Sequence, residues 1–153
     1  RDRLRSRGLG DVYKRQFPYC TFKCEKEAKV HCCQNSDLAQ SPNIEFGIDE
    51  IVERYINNPI TSAIVCGGLE PLDSFDDLSR LLYSFRDKTE NDFVIYTGYT
   101  KHECEEKGYL TQLSNFSNVI IKFGRYIPNS KSHYDEVLGV ALNSDGQYAE
   151  KIS

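Results

Sequence analysis

Four cysteines within fourteen residues, Cys20, Cys24, Cys32 and Cys33, with His31 beside them, constrain this chain more than any other feature. The surrounding stretch from Phe17 to about Asn43 is polar with little hydrophobic periodicity, so it reads as a loop built around something. A disulfide framework is disfavoured, because nothing suggests export and cytosolic thiols stay reduced. Two metal readings remain. Zinc could take three cysteines with His31, or all four cysteines. However, zinc sites usually close two short ligand pairs, and adjacent cysteines rarely ligate one ion without strain. A 4Fe–4S cluster normally takes four thiolates; with three, one iron keeps an open position, as a catalytic metal does.

Downstream, apolar residues alternate between helical and strand patterns. Ile48, Ile51, Val52, Tyr55 and Ile56 fall at helical spacing, and Asn57-Asn58-Pro59 closes that helix. Ser62 to Cys66 is a short apolar run of the kind found in a strand buried on both faces. Asp73 or Ser74 can cap a second helix with the face Phe75, Leu78, Leu82 and Phe85. Phe93 to Tyr96 reads as the next strand, and Thr100 with Glu103 as a capping box for a third helix that Gly108 weakens. Val119 to Ile121 and Val137 to Leu142 read as two further strands. This alternation predicts an α/β fold with a mostly parallel sheet. Gly67-Gly68, Gly98 and Gly124 each follow a predicted strand. Ligands of parallel sheets sit at that carboxyl edge, which points to one shared site.

The charge is unevenly spread. Residues 1–16 hold six basic and two acidic side chains, whereas the remaining 137 carry 13 and 21, a net of −8 beneath the overall −4. Such an acidic domain disfavours direct nucleic-acid binding. No run of about 18 apolar residues is present, so no membrane span is expected. Ser6 to Gln16, SRGLGDVYKRQ, resembles the in-frame translation of a sequencing-library adapter, so residues 1–16 are expected to be non-native and 17–153 to form one domain. The chain has no methionine, and that reading places the native start upstream of Phe17.

Cys20-Thr-Phe-Lys-Cys24 resembles the start of the radical S-adenosylmethionine motif, Cys-x3-Cys-x2-Cys. Further along, Cys33-Gln34-Asn35 with Leu38-Ala39, then Cys66-Gly67-Gly68-Leu69-Glu70-Pro71-Leu72, follow the pattern of anaerobic ribonucleoside-triphosphate reductase activating proteins. Ile95 to Thr100 is similar to their Thr-Gly-Tyr-Thr element, Lys122 to Ile127 to their Asp-Gly-x-Phe/Tyr segment, and Leu142 to Gln147 to their Gly-Ser-x-Asn-Gln. The resemblance spans residues 17–147 in the family's order. It implies a partial (βα)6-type barrel whose first strand is largely truncated. It also implies a 4Fe–4S cluster on Cys20, Cys24 and Cys33, and S-adenosylmethionine held by Gly67, Gly68, Glu70, Pro71, Thr97, Gly98, Tyr99, Asn143 and Ser144. The implied activity is reductive cleavage of S-adenosylmethionine to a 5′-deoxyadenosyl radical that makes a glycyl radical on a partner. That partner would be a glycyl-radical enzyme such as the anaerobic ribonucleotide reductase large subunit, with flavodoxin or ferredoxin as electron donor, in an anaerobic cytoplasm.

The departures are specific. Eight residues separate Cys24 from Cys33, or seven from Cys32, where the superfamily has two; Cys33 is preferred because Gln-Asn and Leu-Ala keep register after it. Leu69 is extra within Gly-Gly-Glu-Pro, and Gly146 replaces an asparagine. Cys66 and Cys104 read as small buried hydrophobes, His102 as a solvated helix residue, and 133–136 as a polar loop. Arg125 suits a ligand carboxylate or a salt bridge equally. Two alternatives stand beside the activating-enzyme reading: a radical enzyme on a small molecule, and a non-catalytic zinc or iron–sulfur module.

Overall fold

A computed structural model of the protein describes residues 11–17, 19–40 and 46–153. Residues 6–10 of the adapter-like stretch and the end of the cysteine segment therefore lie outside the described residues. Strands β1 (Asp11–Phe17), β2 (Thr61–Gly68), β3 (Asp92–Tyr96) and β4 (Val119–Phe123) run parallel and in sequence order. The cysteine segment carries two short helices, α1 (Lys23–Ala28) and α2 (Ser36–Gln40). Between the later strands come α3 (Ile48–Ile56), α4 (Phe75–Lys88), α5 (Lys101–Glu106) and α6 (Tyr109–Leu113). After β4, a small antiparallel pair forms from β5 (His133–Asp135) and β6 (Val140–Leu142). The chain then returns as β7 (Tyr148–Lys151), antiparallel to β4.

Successive side chains of a strand point to opposite faces, so each buried strand feeds two cores. Ile64, Cys66, Phe93, Ile95, Val119, Ile121 and Phe123 face the helices, where they meet Val52, Tyr55, Leu78, Leu82, Phe85 and Leu113. Ala63, Val65, Val94 and Ile120 face the other way, toward Leu138, Leu142 and Ala149. Strands in sequence order with the crossover helices packed on one face are what an opened α/β barrel would show. Here the sheet stays open, with β1 and β7 at its edges, so the partial barrel is replaced by a five-stranded sheet, four strands of it parallel.

Three expectations need correcting. The place of the truncated first strand is filled by Asp11–Phe17, paired along β2 from Thr61 to Gly68. Ladder pairing uses backbone N–H and C=O groups, so an extended segment of almost any composition can occupy an edge. Second, Val137 to Leu142 does not join the main sheet. Leu138 N–H bonds back to Asp135 Oδ1, and Gly139 takes φ +67, so the chain turns there and only Val140–Leu142 pairs, with β5. The strand that does join, β7, has no apolar run; Ala149 is its buried residue. Third, the cysteine segment is not all loop, because α1 and α2 form within it. The other elements fall where the periodicity places them, including the Thr100–Glu103 capping box and a break at Gly108, which takes φ +74 between α5 and α6.

Phe85 is the centre of the helix-side core: fully buried, edge-on to Tyr55 at 4.8 Å and to Phe93 at 5.5 Å. Replacing Phe85 by Ala should cost about 3–5 kcal/mol in denaturant unfolding. Tyr83→Ala on the exposed side of the same helix should stay within about 0.5 kcal/mol.

Candidate iron–sulfur site

The carboxyl edge of β1 to β4 is stitched together by one buried carboxylate. Glu70 follows β2, and its backbone N–H donates to Tyr19 O at 2.9 Å, tying it to the chain just before Cys20. Its Oε1 accepts from Leu72 N at 3.1 Å and from Thr97 Oγ1 at 2.8 Å, and its Oε2 accepts from Gly98 N at 2.8 Å. Burial pushes Glu70 up to about 6, even with these three donors pulling the other way. Asp73, one turn on, accepts from Thr21 N through Oδ2 and from Tyr99 Oη through Oδ1. Asn35 Nδ2 donates to Gly68 O at 2.6 Å. The cysteine segment is thus bonded to the end of β2 and the turn after it, and through Glu70 and Asp73 is linked to the end of β3.

The thiols gather on that edge. Cys20 Sγ accepts the Phe22 N–H at 3.2 Å. Cys24, in the first turn of α1, lies against the end of β3: a Cβ placed on Gly98 would stand 3.7 Å from Cys24 Sγ and 3.5 Å from Glu70 Oε2. Cys24 also draws a backbone hydrogen bond from Tyr126, and its charge is coupled to those of Cys20, Cys32 and Cys33. Cys33 is held from behind, its N–H donating to Glu25 Oε1 at 3.0 Å. The field of Cys24 thus reaches both candidates for the third ligand, Cys32 and Cys33. All four thiols are half-buried. Burial raises Cys20 to about 11 and Cys24 above its ordinary value, so both stay protonated in the metal-free chain. Iron coordination reverses that preference by deprotonating the thiol outright.

Do these residues fit a cluster? The N–H donors aimed at Cys20 and Cys24 are the kind that tune iron–sulfur centres. Among the described residues, no three His, Cys, Asp or Glu side chains converge tightly enough for a single ion. A cluster has no such need, because each iron takes its own thiolate. His31, the candidate zinc ligand, is 72 % exposed and pairs with Glu25 Oε1 at 2.7 Å. The donor set fits a multi-iron cluster better than one zinc ion.

The other expected residues divide. Glu70, Thr97, Gly98 and Tyr99 form one network with the thiols. Gly67 and Gly68 end β2 beside them, and Pro71 is buried in the 3-10 turn Pro71–Ser74 that follows Glu70. Ser144 is buried, but its hydroxyl is spent on Ile127, accepting from N at 2.8 Å and reaching O at 3.3 Å; Asn143 beside it is exposed. That turn packs on Gly124, where φ is +99 and a Cβ would stand 2.4 Å from Gly146 O, so only glycine fits. Arg125 takes the salt-bridge alternative, its Nη2 2.7 Å from Glu103 Oε1 and its Nε 3.2 Å from Glu27 Oε2. Cys66 and Cys104 are fully buried, and His102 is solvated. The sequence reading passed over Lys122, a lysine within Val-Ile-Ile-Lys-Phe at an inward strand position. It is 8 % exposed, and its Nζ donates to Gly124 O at 3.1 Å.

The Arg125 hydrogen bond, with the Thr100 N–H and nearby Lys23, holds the Glu103 carboxyl down to about 2, against an ordinary value of 4.5. A depressed carboxyl adds stability that is present above pH 4.5 and lost as pH falls toward 2. Thermal melts of the metal-free protein should show this loss across that window, and Glu103→Gln should flatten it. An equally steep loss in the variant would assign the effect elsewhere.

Against known proteins, neither the curated sequences nor the solved structures provide a match. Residues 7–143 match the family described as a 4Fe-4S single cluster domain, which takes in Cys20, Cys24, Cys32, Cys33 and all four parallel strands. With most of its length matched and its thiols grouped at one sheet edge, the chain belongs to the 4Fe-4S single cluster domain family.

Proposed function

We propose that this chain is a radical S-adenosylmethionine enzyme of the glycyl-radical-activating kind, with Cys20, Cys24 and Cys33 as the three cluster ligands. The observation that supports it most is the contact around Gly98, where the β3 end meets both Cys24 Sγ and the Glu70 carboxylate. A cofactor bridging the cluster and the strand ends would have to sit there. In this reading the backbone at Gly67, Gly68 and Gly98 lines the ligand, while Thr97, Tyr99 and Pro71 hold Glu70 and its turn in place. The cluster would supply one electron for cleavage of S-adenosylmethionine. The open sheet leaves this edge accessible to a loop of a large partner such as the anaerobic ribonucleotide reductase large subunit. A flavodoxin- or ferredoxin-type donor and a cytoplasmic setting complete the reading. Among the described residues no helix is long and apolar enough to cross a membrane.

Anaerobic reconstitution should yield about four irons and four sulfides per chain. Stoichiometric zinc without iron or sulfide would overturn the reading. After reduction with S-adenosylmethionine present, methionine and 5′-deoxyadenosine should appear, and a glycyl radical should be seen by EPR once the partner is added. Cleavage with no radical on the partner would favour the small-molecule alternative. Cys33→Ser should lose the cluster while Cys32→Ser retains it; the reverse pattern would move the third ligand to Cys32.

A further inference from the structure

Lys122 is the one charged side chain on the inner sheet face that no acid neutralises at contact distance among the described residues. It lies on β4 in register with Tyr96, and its carbonyl accepts the Thr97 N–H at 3.0 Å, one residue below the rim where Gly98 meets Cys24. An ammonium has three N–H donors. Here one goes to Gly124 O, and no carboxylate of the described residues comes within ion-pair range. Arg125, the other cation of this edge, differs in being paired with Glu103 and Glu27. Glu70, the nearest acid in electrostatic terms, already accepts from Leu72, Thr97 and Gly98. A buried cation whose acid lies beyond contact, with only the Tyr96 ring 6.0 Å from its Nζ, gains from any further negative group placed near it. Glu70 and Cys24 are the two negative-capable groups whose fields reach it, and the strand register sets it one residue below the Gly98 rim on which Cys24 Sγ lies.

We infer that Lys122 is a positioning residue for electron uptake: its buried ammonium offsets the charge that a cluster on Cys24 gains on reduction, and so raises the cluster's reduction potential. One electron passes from a low-potential one-electron reductant to the cluster and adds one negative charge, with no bond made or broken. The reduced form carries more negative charge than the oxidised form, so a nearby ammonium favours it. Low local dielectric strengthens that preference. This inference rests on a cluster ligated by Cys24 and is independent of S-adenosylmethionine cleavage.

The test is a redox titration of the reconstituted protein at pH 7, with dithionite as reductant and EPR of the reduced cluster as readout, for wild type, Lys122→Met, Lys122→Gln and Lys122→Arg. At one fixed applied potential the two neutral variants should show about a tenfold lower reduced-to-oxidised ratio, equivalent to 59 mV for a one-electron couple, with iron content unchanged. Lys122→Arg, which keeps the charge, should titrate close to wild type. Potentials unchanged in Lys122→Met and Lys122→Gln would overturn the inference. So would loss of the cluster in both, which would make Lys122 a requirement for assembly, and so would an equal shift in Lys122→Arg, which would reveal a packing effect. A wild type that takes up no cluster would instead defeat the cluster assignment itself.

Discussion

The rest of the site depends on the buried Glu70 carboxylate. A carboxylate in an apolar interior survives only when hydrogen bonds replace its water. Glu70 finds three donors, and each comes from a segment that would otherwise be free to move: Leu72 in the turn after β2, and Thr97 and Gly98 at the end of β3. Its own N–H binds Tyr19 O and so adds the cysteine segment to the same knot. One side chain therefore fixes the relative placement of two strand ends and of the segment that leads into Cys20. Removing it would leave buried donors without acceptors, at a cost of about 1–3 kcal/mol for each such group. For that reason the Gly-Gly-Leu-Glu-Pro segment matters structurally whatever ligand the edge receives.

Much of this was legible before any coordinates. The helical spacings of α3 and α4, the capping box of α5 and the apolar runs of β2, β3 and β4 are local signals, and each element formed where its signal lay. The strand-end glycines and the cysteine spacing point to that edge for the same reason: close backbone approach needs glycine, and thiolate chemistry needs cysteine. What could not be read depends on partners distant in sequence. β7 is a strand because β4 offers it an unpaired edge, not because Tyr148 to Lys151 has strand periodicity. Ser144 looked like a ligand residue, but Ile127, seventeen positions away, claims its hydroxyl. In the sequence Lys122 stands only as the first residue of the Lys122 to Ile127 segment. Its inward aim follows from strand register, which the sequence does not print.

The electrostatics of the edge make the metal-free and metal-bound chains different objects. Without iron, burial keeps the Cys20 and Cys24 thiols neutral, so the acids Glu70 and Asp73 meet no thiolate repulsion. In the proposed cluster-bound form the Cys20 and Cys24 sulfurs become anionic, and the N–H groups of Phe22 and Tyr126 already point at them. The protons released on binding tie metal affinity to pH, and the affinity becomes part of the folding free energy of the cysteine segment. The strand core, which buries Phe85, Phe93 and Phe123 on one side and Val94 and Ile120 on the other, needs no such contribution.

The long interval between Cys24 and Cys33 is the feature most at odds with the radical enzymes that this chain resembles, and α1 gives it a physical resolution. Growing a closed loop from two residues to eight is two doublings, worth about 1 kcal/mol of extra closure entropy. The helix takes up four of those eight residues, and Lys29 at φ +56 reverses the chain at its end. Glu25 in the first turn then reaches back to the N–H of Cys33 at 3.0 Å, a bond to a charged acceptor worth about 1.5–3 kcal/mol. That single bond offsets the closure cost and ties Cys33 back to the first turn of the helix that carries Cys24. Glu27, two residues along the same helix, pairs with Arg125 and pins α1 across the end of β4. The insertion is thus a folded turn whose end is tied back to its own helix through Glu25 and Cys33, which is how the proposed ligand set could do without the short spacing that usually enforces it.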